Sequence, residues 1–135
     1  MTIKIEKVED WKEVVKNLFP KIEHRVILLK GNLGAGKTTF TQQLLKKMGV
    51  IEQVSSPTYS IVNEYKLVDK KIYHFDLYRI NTKEEVFDMG FEEYLENENF
   101  CIVEWPEIYE DELSDIPHHT IEISHAEIGR ILHFV

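Results

Sequence analysis

The chain has 135 residues, 43% hydrophobic and 30% charged, with 6 Gly, 4 Pro and 1 Cys, which is the length of one domain, residues 1–135, able to bury a core without staples. This composition excludes a disordered or disulfide-built chain, and no apolar run approaches the ~20 residues needed to cross a bilayer. A net charge of −8, with Arg25, Arg79 and Arg130 as the only arginines, argues against a tight direct grip on nucleic acid, whose phosphates favour a basic face.

The first residues, MTIKIEKVEDW, lack the apolar stretch of a signal peptide. With a single cysteine, Cys101, expected to be buried, they suggest a cytoplasmic protein. Residues 2–6 alternate in polarity and predict a short strand. Residues 10–19 predict a helix: Asp10 can cap it, Trp11, Val14, Val15 and Leu18 share one face, and Pro20 closes it. RVILLK at 25–30 is a nearly continuous apolar run, as in a strand covered on both faces. A Gly-rich turn follows at 31–36. A helix over 37–48 comes next, with Phe40, Leu44 and Met48 in register and Gly49 as its stop.

Residues 58–67 and 71–79 alternate around Val68-Asp69-Lys70 and predict a β-hairpin. Thr82 and Glu85 form a capping box that opens a short helix. Gly90 interrupts it, and 91–97 can form a further turn or two. FCIV at 100–103 predicts a second buried strand, ended by Pro106. Residues 119–124 and 130–135 predict a last hairpin around 127–129. This order of buried strands, helices and hairpins points to an α/β fold whose mixed sheet has parallel central strands and antiparallel hairpins.

Gly31-Asn32-Leu33-Gly34-Ala35-Gly36-Lys37-Thr38 matches G-x-x-x-x-G-K-[ST] in full, between a buried strand and a helix. The glycines let successive backbone N–H groups turn toward phosphate oxygens. The helix beginning at Lys37 aims its unpaired N–H groups and positive dipole end at the same anion. Lys37 is expected to reach the β- and γ-phosphates, and the Thr38 hydroxyl to ligate Mg²⁺. The expected ligand is therefore ATP with Mg²⁺, and the expected reaction its hydrolysis.

Such a site needs a carboxylate at the end of a neighbouring strand to hold the metal. Glu104, after FCIV, and Asp76, after Tyr73-His74-Phe75, are the candidates. The continuous run before Glu104 fits a central strand beside the P-loop strand, so Glu104 is the first choice for the metal. The alternating run before Asp76 fits a hairpin, leaving Asp76 to position water or to support the metal's other ligands.

GNLGAGKTTF (31–40), SSPTYSIVNEY (55–65), IYHFDLYRI (72–80) and IVEWPE (102–107) together resemble the TsaE family, also called YjeE. These are small bacterial ATPases of tRNA threonylcarbamoyladenosine biosynthesis. Gly129-Arg130 in the tail also fits. The resemblance implies a three-layer P-loop NTPase fold, weak ATPase activity and partnership with TsaD and TsaB. Those partners transfer a threonylcarbamoyl group to the adenosine beside the anticodon, and the ATPase resets or licenses them between turnovers. It implies that tRNA is met only through that complex.

Carried over, Thr38 and Glu104 are the magnesium ligands. Gly34 to Thr39 form the phosphate cradle, with Gly31, Leu33, Ala35, Gly36 and Lys37 in the same loop and Gly129 and Arg130 as further nucleotide-binding positions. Asp76 and Trp105 match positions required for activity, together with Lys37 and Glu104, and Thr58 matches a switch threonine. Trp11 stands where the family usually has Thr, on the adenine side, and Gln42-Gln43 where it usually has Arg-Gly. Gln43 should change local helix packing.

Trp105 is expected either at the site mouth or in the core, Arg79 in an ion pair or acting in trans on a partner, and Glu110–Glu112 on a solvated face. The adjacent His118 and His119 point to opposite sides of a strand, which disfavours a shared metal. The alternative enzyme reading is a small-molecule P-loop kinase, which needs a second substrate pocket and usually an arginine-bearing lid. A nucleotide-binding interaction module without turnover is the third class.

Overall fold

The structure is a computed structural model that describes residues 1–57, 59–96 and 98–135. Its strands are β1 (Thr2–Ile5), β2 (Val26–Lys30), β3 (Val62–Lys66), β4 (Lys71–Asp76), β5 (Phe100–Glu104), β6 (His119–His125) and β7 (Arg130–Phe134). They form one seven-stranded sheet in the order β1-β7-β6-β2-β5-β4-β3. The central strands β6, β2, β5 and β4 run parallel. β3 pairs antiparallel at one edge, and β7 and β1 at the other.

The helices are α1 (Asp10–Leu18), α2 (Lys37–Met48), α3 (Lys83–Asp88) and α4 (Phe91–Glu96). Alternation along the strands sorts the apolar side chains into two cores. Ile27, Leu29, Ile72, Ile102 and Ile121 pack with Trp11 of α1 and Phe40 and Leu44 of α2. Val26, Leu28, Phe75 and Val103 pack with Val86 of α3 and Phe91 and Leu95 of α4. The result is a three-layer α/β/α arrangement, because a sheet covered on both faces buries continuous apolar runs such as VILLK and FCIV. Each fully buried Leu, Ile or Phe stabilises this packing by roughly 1.5–3 kcal/mol. No helix among the described residues is long and apolar enough to cross a membrane.

The local signals explain most element ends. Gly49, with φ of 110°, ends α2 with its N–H on the Lys46 carbonyl. The Thr82 hydroxyl accepts the Glu85 N–H at 3.3 Å and opens α3. Two boundaries differ from the sequence reading. Asp10 is the first helical residue of α1, not its cap; its carboxylate instead accepts the Lys7 N–H at 3.0 Å. Pro20 sits inside a 3₁₀ turn, Phe19–Lys21, that carries the chain past α1.

The larger difference is β4. It pairs with β3 as the hairpin reading requires, but its other side pairs in parallel with β5. It is an interior strand, and it stops at Asp76, while Leu77 donates its N–H to the Glu104 carbonyl at 3.1 Å. The alternation that predicted the hairpin includes His74 and Asp76, which are polar yet both buried.

Cys101 is buried in the second core, and burial pushes its thiol up to about 12. His119 ties the far end of the sheet together. Its Nε2 accepts the backbone N–H groups of Glu23 and His24 at 2.9 and 3.1 Å, and its Nδ1 donates to the Val135 carbonyl at 3.2 Å.

Two outcomes are expected. Gly129 and Gly34 have nearly the same φ, 79° and 78°. A Cβ on Gly34 meets open space, whereas one on Gly129 would run into the Ile5 carbonyl and lie 2.8 Å from the Glu6 Cα. In urea unfolding, Gly34→Ala should cost about 1 kcal/mol of left-handed strain and Gly129→Ala clearly more, at least about 2 kcal/mol; equal losses would remove the close approach of β1 as the cause. Burial lowers the His119 pKa below its ordinary value. The unfolded chain therefore binds more protons than the folded one below about pH 6.5, and this contribution to stability is full above that pH and lost as pH falls toward the folded value. Thermal melts of the wild type and His119→Gln should show a shallower acid-side decline in the variant.

Candidate functional site

β2 ends at Lys30, and the turn at 31–36 feeds directly into α2. Gly36, at φ of 114°, occupies the N-cap of α2 with no side chain capping the helix. The N–H groups of the first turn therefore stay available to an anion. Gly36 is also where the loop meets α1: a Cβ there would lie 2.8 Å from Trp11 Cζ2. Trp11 is buried and packs edge-on against Phe40, ring centroids 6.2 Å apart. Trp11 is thus core beneath the loop. Gln43 is half-buried and lines a groove between α1 and α2 together with Lys12 and Lys16.

Arg130, at the start of β7, braces the loop from the other side. Its Nε donates to the Ala35 carbonyl at 3.0 Å, its Nη2 to the Gly34 carbonyl at 3.2 Å, and its Nη1 to its neighbour Gly129 at 3.0 Å. Holding the Ala35 carbonyl turns the N–H of the same peptide, on Gly36, the opposite way. Gly31 approaches Ile123 so closely that a Cβ would lie 2.6 Å from its carbonyl oxygen.

The loop opens on a cavity of ≈ 240 Å³. Leu33, Gly34, Gly36, Lys37, Thr38 and Thr39 line one side, and Asp76, Glu104, Trp105 and Ser56 the other. Gly31, Ala35, Gly129 and Arg130 are not part of its lining; they shape the loop from behind. Register brings the two acids together: Leu29 of β2 lies beside Glu104 of β5, and Glu104 beside Asp76 of β4. Both candidate carboxylates thus stand at the carboxyl ends of adjacent parallel strands, where α/β sheets place their ligands. The contrast drawn from sequence between a central Glu104 and a hairpin Asp76 does not hold.

Lys37, Asp76 and Glu104 are 6%, 7% and 3% exposed. The Lys37 Nζ donates to the Gly31 carbonyl and lies 3.7 Å from the centre of the Trp105 ring. Burial lowers the Lys37 pKa, and the carboxylates of Glu104, Asp76 and Glu107 oppose that shift. An Asp76 oxygen accepts the Tyr78 N–H at 3.0 Å. Trp105 reaches Lys37 by adopting φ of 55°, in the left-handed region unfavourable for a side chain this bulky. Its ring also meets that of Tyr78, 4.8 Å between centroids.

Two residues at this site escaped the sequence reading: Ser56, which lines the cavity, and His74. His74 is fully buried, and its Nε2 lies 2.5 Å from Glu104 Oε2. The available signal was its place two residues before Asp76, on the same face of the strand. Elsewhere, Arg79 makes no ion pair among the described residues; its guanidinium lies over the Tyr59 ring at 4.5 Å. Glu110 and Glu112 are not simply solvated, since they pair with Lys30 at 2.8 Å and Lys83 at 3.5 Å. Thr58, matched to a switch threonine, lies outside the described residues.

A strand–glycine loop–helix unit, flanked by parallel strands that end in acids, defines a protein with the P-loop NTPase fold. The crystal structure of Bacillus subtilis YdiB superposes on it with a TM-score of 0.77 at 28% identity, covering 99% of this chain and 83% of that one. The family described as threonylcarbamoyl adenosine biosynthesis protein TsaE matches residues 5–131, and the chain belongs to that family. It is 36% identical over 116 residues to the tRNA threonylcarbamoyladenosine biosynthesis protein TsaE of Treponema pallidum, covering 84% of this chain and 80% of that protein. The protein of the same name from Haemophilus influenzae is 46% identical over 82 residues, 61% of this chain and 52% of its own length. For that of Bacillus subtilis the figures are 41% over 88 residues, 65% and 54%. The chain thus spans only about half the length of several of the curated relatives it matches.

Removing the brace should loosen the loop. Arg130→Ala should speed hydrogen exchange of the 33–37 amides by roughly tenfold or more, from losing charge-assisted bonds of about 1.5–3 kcal/mol in all. Exchange in β5 and α4 should stay as in the wild type. Unchanged exchange at 33–37 would mean that Arg130 does not hold the loop.

Proposed function

We propose that this chain binds ATP with Mg²⁺ and hydrolyses it, as the ATPase component of tRNA threonylcarbamoyladenosine biosynthesis, acting in the cytoplasm with TsaD and TsaB. The observation that carries this reading is the meeting of the P-loop with Thr38, Asp76 and Glu104 around a single cavity. Membership of the TsaE family supports the pathway.

The residues fit the groups they would hold. The uncapped start of α2 and the glycine backbone of 31–36 would take the phosphates, and Lys37 would supply a fixed positive charge beside them. The Thr38 hydroxyl and the Glu104 carboxylate would hold the metal, a sparse set suited to Mg²⁺, which keeps several waters and takes phosphate oxygens. When bound, Mg²⁺ neutralises charge on the β- and γ-phosphates. Asp76, one strand away, would orient a water toward the γ-phosphorus. Trp105 would keep the Lys37 head desolvated and in place through its ring face. The cavity, ≈ 240 Å³, is below the ~300–1,000 Å³ of typical small-molecule pockets, which favours phosphates over a nucleotide with a second substrate.

The acidic balance of −8 supports a partner, not this chain, as the holder of tRNA. At a hundredfold excess over its dissociation constant, ATP-Mg should stabilise the wild type by about 2.7 kcal/mol, and Lys37→Ala should lose most of that melting shift. Glu104→Ala should lose magnesium-dependent turnover while keeping most nucleotide affinity. Adding TsaD and TsaB should raise the ATPase rate, and Asp76→Ala or Trp105→Ala should remove the increase. The proposal fails if the partners leave the rate unchanged or if the isolated chain binds tRNA at sub-micromolar strength in physiological salt.

A further inference from the structure

We propose that His74 is the positioning residue for Glu104: its Nε2–H holds one carboxylate oxygen and thereby presents the other to the cavity. The inference rests on the reading of Glu104 as the magnesium ligand and assigns a role to a residue outside that ligand set.

Geometry makes the pairing specific. His74 lies opposite Ile102 in the β4–β5 register, and Asp76 opposite Glu104. His74 therefore reaches Glu104 on the diagonal, across a distance that long side chains on one face of a sheet can bridge. The Nε2–Oε2 separation is 2.5 Å, and the two side chains are 0% and 4% exposed. The other ring nitrogen, Nδ1, is buried with no hydrogen-bond partner among the described residues. That arrangement selects the tautomer. A hydrogen on Nδ1 would be a buried, unpaired donor and would turn the Nε2 lone pair against a carboxylate oxygen. A hydrogen on Nε2 makes the bond to Glu104 and leaves only a lone pair unmatched.

An imidazole is otherwise costly here. Its strand neighbour Ile72 and the facing Ile102 are aliphatic and fully buried, and an aliphatic side chain would fill the site without an orphaned nitrogen. The gain is control of Glu104. The Lys37 ammonium is close enough for the Glu104 charge to act on it. An unanchored glutamate would be free to turn wholly toward that cation. With Oε2 held by His74, Oε1 stays committed to the cavity, where a metal would compete for it. Hydrogen-bonded partners of ligating carboxylates typically contribute 10–100-fold in metal affinity.

The test uses the full chain, a non-hydrolysable ATP analogue and Mn²⁺ as the metal probe, read by electron paramagnetic resonance, with melting curves to confirm folding. His74→Phe keeps a ring but removes the donor. His74→Gln places an amide N–H near the lost Nε2. His74→Phe should raise the half-saturating Mn²⁺ concentration by about ten- to hundredfold, with metal-free analogue affinity little changed. His74→Gln should recover most of the loss. In the wild type, long-range ¹⁵N correlations of the ring should show the Nε2–H tautomer, a readout that requires no variant to fold. Wild-type Mn²⁺ affinity in His74→Phe, no recovery in His74→Gln, or an Nδ1–H tautomer would each overturn the proposal. Glu104→Ala separates the two readings. If it weakens Mn²⁺ while His74→Phe does not, His74 alone loses its role; if it too binds Mn²⁺ like the wild type, the metal assignment falls and His74 with it.

Discussion

The parallel register of β2, β5 and β4 sets Leu29, Glu104 and Asp76 side by side in one row across the sheet. Everything in the candidate site follows from that row. Two residues beyond Leu29 the chain enters the glycine loop, so the loop begins where the two acids end their strands. A slip of one residue in either pairing would turn a carboxylate to the opposite face, into the core of Phe75, Phe91 and Val103. The apolar residues of β2, β4 and β5 therefore do two things. They stabilise the three layers, and they fix the register that aims the acids.

The row also concentrates charge in a place with little water. Two carboxylates and one ammonium are each less than a tenth exposed, and isolated buried charges are unfavourable by several kcal/mol each. Each has compensation close by. The Lys37 ammonium has the Gly31 carbonyl, the Trp105 ring and the field of the acids. Asp76 accepts the Tyr78 N–H, and Glu104 takes the His74 Nε2–H. Trp105 adds a backbone in the left-handed region, a strain of about 1–2 kcal/mol. Strained backbone, a buried lysine and an orphaned imidazole nitrogen converge on one cavity, as expected where folding stability has been exchanged for preorganisation.

The support around the loop is distributed along the whole chain. Trp11 fills the space under Gly36, Ile123 presses against Gly31, and Arg130 holds the Gly34 and Ala35 carbonyls. Gly129 lets β7 begin tightly against Ile5, which sets where Arg130 starts. The tail hairpin and first helix thus act on the loop through packing and backbone hydrogen bonds, a different task from lining the cavity.

The sequence by itself determined the elements whose cause is local: the glycine loop between a buried strand and a helix, the Gly49 stop, the Thr82 cap and the FCIV strand. Each depends on φ freedom, capping or periodicity over a few residues, and such signals are present in any short window. It also carried the family resemblance, through four ordered segments. Only the tertiary structure decided which distant groups meet. His74 and Glu104 are 30 residues apart, and Arg130 and Ala35 are 95 apart. The alternation over 71–79 predicted the hairpin that forms, but not that its second strand is also interior to the sheet. Here His74 and Asp76 are polar and buried, matched by partners on a neighbouring strand or turn. Burial of a polar side chain depends on what the fold places opposite it, and that is a property of strand register, which no local window contains.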